Sequence, residues 1–135
     1  MASNEGRVFF SLAGYQYNPD EITELLGLTP TTVVNDGASS PTEKPAISVW
    51  ELSLDNVAGD VDIFALTDDL IKLLEPEKDA IINVIESHNL SPKLGVVLTL
   101  STDENQAPLD LGFRGLSLKF LSDIGAVIDV DYALS

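Results

Sequence analysis

Between Asn18 and Gly27 the chain carries every signal needed to start and stop a helix within about two turns. Asn18 suits the N-cap and Pro19 the first helical position, and Glu21 completes a capping-box-like arrangement. Tyr17 and Ile22 occupy the two positions of a hydrophobic staple. Asp20, Glu21 and Glu24 lie toward the positive end of the helix dipole, and Gly27 fits the left-handed C′ position. Ile22, Leu25 and Leu26 predict a buried stripe. Every conspicuous residue here has a structural role, so nothing is left over for chemistry. A helix this short is marginal alone and must pack on something larger.

The flanking segments say what that is. Residues 7–15, RVFFSLAGY, place Val8, Phe10 and Leu12 on one face and Phe9 and Ala13 on the other, which predicts a central strand. Residues 29–45 hold three prolines, a glycine and a Ser/Thr cluster, and read as a long surface loop with a short extended piece at 32–34. Residues 46–54, AISVWELSL, form a strand with Trp50, Leu52 and Leu54 on one face. Asp60 or Asp62 then caps a helix to about Leu74, with Phe64, Leu70, Ile71 and Leu74 apolar. Pro76 breaks it, and a second helical run to about Asn89 buries Ile81, Ile82 and Ile85.

Alternation returns at Leu94, Val96, Leu98 and Leu100. After the turn-rich STDENQAP it recurs at Leu109, Leu111 and Phe113, which predicts a hairpin. A helix from Ser117 to Ile124 ends at Gly125. A last strand then points Ala126, Ile128, Val130, Tyr132 and Leu134 inward, with Asp129 and Asp131 facing the other way. The order β-α-β-α-α-β-β-α-β predicts an α+β domain spanning residues 1–135. It has a single antiparallel or mixed sheet of about five strands with helices packed on one face. A strand followed by a short glycine-closed helix occurs twice, so a ferredoxin-like duplication is one arrangement this grammar allows.

The chain offers little chemistry. It has no cysteine, hence no disulfide, thiolate nucleophile or zinc–thiolate site, in keeping with a reducing cytoplasm. The N-terminal residues are polar and lack the apolar stretch of a signal peptide, and no apolar run reaches the ~20 residues of a membrane span. His88 is the single histidine, and it has no partner nearby in sequence to orient it as a base or ligand. There is no phosphate-binding glycine loop and no nucleophile elbow. Asp129 and Asp131, like Asp60 and Asp62, pair carboxylates two residues apart. The surroundings lack the ligand rhythm of a calcium loop, so a solvated sheet face or a helix cap is the expectation, and no metal or other cofactor is assigned. Trp50 alternates correctly with Leu52 and Leu54 and reads as a core anchor.

Charge is the strongest global feature. Twenty-two acidic residues against seven basic ones give a formal charge of −15. The seven (Arg7, Lys44, Lys72, Lys78, Lys93, Arg114, Lys119) are scattered along the sequence and predict no patch, so nucleic acid and anionic membrane are not expected partners. A basic protein or a cation is compatible with this balance, and so is a charge that serves solubility alone.

The N-terminal strand, NPDEITELLGLTPT, the proline-and-glycine loop, the tryptophan of VWELS and the terminal LSDIGAVIDVDY together resemble the bacterial family named domain of unknown function 4279. Ile22, Leu25, Gly27, Pro30, Trp50, Gly125, Asp129, Asp131 and Tyr132 match its pattern. The resemblance implies one compact domain in a bacterial cytoplasm, with no catalytic residue to carry over.

Two functions are compatible with these readings. The first is a non-catalytic protein-binding or regulatory module, of inhibitor or immunity type, that uses its acidic surface against a basic protein. The second is a small-molecule-binding domain with a cleft between the 29–45 loop and the sheet, lined by Tyr15, Tyr17 and Trp50. The surface residues of interest are therefore Tyr15, Tyr17, Trp50, Asp129 and Asp131, with no enzyme activity expected.

Overall fold

The computed structural model describes residues 4–35, 47–55, 61–106 and 108–134. Its elements run β1 (Glu5–Tyr15), α1 (Pro19–Leu26), β2 (Thr32–Asn35), β3 (Ile47–Asp55), α2 (Ile63–Leu74), α3 (Lys78–His88), β4 (Ser91–Leu100), α4 (Gly115–Ile124) and β5 (Val127–Leu134). A 3-10 turn at Glu75–Glu77, carrying Pro76, joins α2 to α3. The strands form one mixed sheet in the order β2-β3-β1-β4-β5, antiparallel throughout except for the parallel pair β4–β5. This is the expected α+β arrangement, with the helices on one face.

Strand alternation decides which face. Val8, Phe10 and Leu12 of β1, Trp50 of β3, and Leu94, Val96 and Leu98 of β4 are buried together with Ile22 and Leu26 of α1, Ile63, Leu70, Ile71 and Leu74 of α2, Ile81 and Val84 of α3, and Phe120, Leu121 and Ile124 of α4. Among the described residues no helix covers the opposite face of the sheet. On it the Phe9 ring lies flat over Gly95, where an added Cβ would come within 2.0 Å of the ring. The Arg7 guanidinium and the Lys93 ammonium stand 5.0 and 5.5 Å from the ring centroid, within cation–π range.

The local signals around α1 are realised. Asn18 Oδ1 accepts from the Asp20 N–H at 3.0 Å, and Gly27 ends the helix at φ 68°, a left-handed value that glycine adopts without strain. Gly125 closes α4 in the same way at φ 75°. Both staple residues, Tyr17 and Ile22, are buried. The tryptophan expected in the core is there: Trp50 is fully buried, and its Nε1–H donates to Thr23 Oγ1 at 3.1 Å, fastening β3 to α1.

Three local expectations are corrected and one is extended. Leu25 is half exposed, because the buried face of this two-turn helix is carried by Pro19, Ile22 and Leu26. The extended piece expected at 32–34 is strand β2, one residue longer, tied to β3 by the Thr31 N–H to the Glu51 carbonyl at 2.7 Å and the Ser53 N–H to Thr31 Oγ1 at 2.9 Å; residues 36–45 lie outside those described. Residues 109–113 form no strand. Leu109 and Phe113 pack on the core as irregular chain, and the edge of β4 that a hairpin would need pairs instead with β5 over eight residues, from Lys93–Val127 to Leu100–Leu134. Finally, Ile128, Tyr132 and Leu134 do share the face of the core, opposite Leu94, Leu98 and Leu100, but the helices do not reach over them and they stay exposed. Asp62 is the cap of α2, accepting from the Ala65 N–H at 3.1 Å, whereas Asp60 lies outside the described residues.

Tyr17 supplies a pH-dependent tie. Its hydroxyl donates to the Leu12 carbonyl at 2.5 Å. Burial pushes its pKa from 10.0 up to about 12, a backbone hydrogen bond with Trp50 acting the other way. The fold thus favours the neutral phenol. That stability is complete below pH 10.0 and is lost as pH rises toward about 12. Thermal melts across this window should show wild type losing stability more steeply than Tyr17→Phe; parallel slopes would remove Tyr17 as the cause.

Candidate functional site

An edge strand in a sheet offers one row of backbone N–H and C=O groups to whatever comes beside it. At one edge of this sheet stands β5. It pairs with β4 alone among the described residues, and seven of its eight residues are exposed. Natural edge strands are usually short, kinked or covered. This one is eight residues long and carries no proline or glycine.

The two faces of β5 differ chemically. Toward the helical side it shows Ile128, Tyr132 and Leu134, the last two at 69% and 68% exposure. Toward the open side it shows Asp129 and Asp131, opposite Gly95 and Val97 of β4. The two carboxylates point as their spacing predicts. Lys93 Nζ reaches Asp129 Oδ2 only at 4.0 Å, and no ion pair holds Asp131 among the described residues. Both residues are exposed to solvent. The site is a strand edge left free by the described residues, with an apolar side and an anionic side.

The remaining residues of interest do not join it. Tyr15 is 63% exposed but sits at the end of β1, beside Ile47 on the open face. Tyr17 and Trp50 lie in the core, each with its polar atom hydrogen-bonded, so neither offers a wall to a cleft. His88 ends α3, with Nδ1 2.9 Å from Ser87 Oγ and Nε2 3.5 Å from Glu21 Oε1. Among the described residues no three of the His, Asp and Glu side chains converge as a metal site would need, and no helix is long and apolar enough to cross a membrane. Sequence reasoning placed Ile128, Tyr132 and Leu134 in the core; their exposure follows from β5 being outermost, which depends on strand order and leaves no local mark.

A family model described as domain of unknown function (DUF4279) matches residues 4–135. No curated protein and no solved structure matches the chain.

Proposed function

The chain belongs to the DUF4279 family over nearly its whole length, and from the chemistry of its exposed edge we propose that it is a non-catalytic protein-binding module whose partner is basic. The observation that carries this reading is β5: a strand edge with no pairing partner among the described residues, with Ile128, Tyr132 and Leu134 on one side and Asp129 and Asp131 on the other. An extended segment alternating apolar and Lys/Arg residues matches both sides at once. Its backbone would continue the sheet, and alternate side chains would meet like with like on one face and opposite charge on the other. A second copy of the chain fits poorly, because it would set carboxylate against carboxylate and bring two charges of −15 together. An inhibitor or immunity role in a bacterial cytoplasm, masking a basic protein, is the form of regulation such an edge suits.

A fluorescent peptide of β5's own length, alternating valine and lysine, is the direct probe. It should bind saturably, with affinity that falls as salt is raised, and it should bind better than a peptide of the same composition with its lysines in one block. Equal binding of the two peptides would reduce the interaction to net charge and remove the role of the edge.

A further inference from the structure

The sequence scatters its seven Lys and Arg, yet the fold gathers four of them. Lys72 of α2, Lys78 at the start of α3, Arg114 at the cap of α4 and Lys119 within α4 all line one open groove of about 870 Å³. Its floor is apolar, formed by Ile71 and Phe120, with Leu116 at the rim 84% exposed. Three carboxylates share the groove, Asp68, Glu75 and Asp123, so the four cations leave one positive charge in excess on a chain whose total is −15.

The pairing inside the groove leaves donors available. Lys78 and Lys119 both bond a single oxygen, Asp123 Oδ2, at 2.6 and 2.9 Å. An ammonium has three donors, and this contact occupies one of each. Asp68 is held by Arg114 and by Ser117 Oγ at 2.9 Å. Burial alone would raise the pKa of Asp68, but the hydrogen bonds from Arg114 and Ser117 outweigh it and hold the carboxyl below its usual range; those from Lys78 and Lys119 do the same for Asp123. Asp68 and Asp123 therefore stay ionised and fix Lys78, Arg114 and Lys119 in place, while Lys119 keeps its side chain 70% exposed. A volume within the usual range of small-molecule sites, about 300–1,000 Å³, and an apolar floor call for a small ligand with a hydrocarbon body.

We infer that the groove between α2 and α4 binds an amphiphile with an apolar body and one anionic head group, the body lying on Ile71, Leu116 and Phe120 and the head held by Lys72 and Lys119. The inference is independent of β5, which belongs to the sheet edge and contributes nothing to this groove.

Decanoate, kept below its micelle concentration, is the probe, with decanol and decyltrimethylammonium as neutral and cationic counterparts. In an amide chemical-shift titration decanoate should give saturable shifts confined to α2, the Glu75–Glu77 turn, the start of α3 and α4, with affinity at least tenfold above both counterparts. Lys72→Glu combined with Lys119→Glu should abolish the preference for decanoate. Leu116→Glu, at a position too exposed to matter for folding, should weaken decanoate by a similar factor with an unchanged melting curve. Equal binding of all three amphiphiles, shifts outside the groove, or an unaltered decanoate affinity in both variants would overturn the assignment.

Discussion

Trp50→Ala should cost about 3–5 kcal/mol, the range for removing a large buried aromatic side chain. Net domain stability is only about 5–15 kcal/mol, so the variant should lose a large fraction of it and melt on the order of 10 °C or more below wild type. Two effects add at this position. The indole of Trp50 on β3 belongs to the core, fully removed from solvent and fastened to α1. Its Nε1–H also satisfies Thr23 Oγ1, which in turn donates to the Pro19 carbonyl at 3.3 Å, so the loss reaches the first turn of α1. Trp50→Phe separates the two. It keeps much of the volume and loses the hydrogen bond, and it should cost roughly 1–2 kcal/mol. A Trp50→Ala protein that melts within a few degrees of wild type would mean that the side chain is not the anchor of this core.

The second large effect belongs to binding. Reversing Asp129 and Asp131 together to lysine should weaken the alternating valine–lysine peptide by at least tenfold, about 1.4 kcal/mol, because two attractive cross-strand pairs become repulsive. Both side chains are exposed and neither is buried against the core, so the fold should be unaffected. Tyr132→Ser, on the other face of the same strand, should weaken binding by a similar factor while leaving its salt dependence intact. That split, charge-sensitive on one face and salt-insensitive on the other, is what distinguishes a docked strand from a diffuse ion atmosphere. If both variants bind like wild type, β5 is not the site of contact.

How much of this was legible in the sequence depended on how local the cause is. Asn18, Pro19 and Gly27 act within one helix, and their roles are unchanged in the folded chain. The same holds for Gly125 and for the alternation that buries Trp50. Residues Leu109 to Phe113 misled because three alternating apolar residues suit irregular chain packed on a core as well as a strand. What separates the two is which strand takes the free edge of β4, a tertiary outcome. The exposure of Tyr132 and Leu134 follows from the same strand order. The cationic groove was invisible for a related reason, since Lys72 and Lys119 line one groove only because α2 and α4 lie side by side. The repeated grammar survives in the architecture. β1-α1-β2 and β4-α4-β5 each run strand, helix closed by a left-handed glycine, then a strand parallel to the first. In the first unit β3 stands between the two strands.

Amide hydrogen exchange on the protein with and without the alternating peptide tests the central claim most directly. An edge strand leaves half of its N–H groups without a ladder partner, and these exchange fast. If a basic strand docks on β5, the amides between Val127 and Leu134 that point away from β4 should become protected, while those of β2 at the opposite edge stay unchanged. Saturating peptide with no added protection in β5, or with protection at β2 instead, would contradict the account.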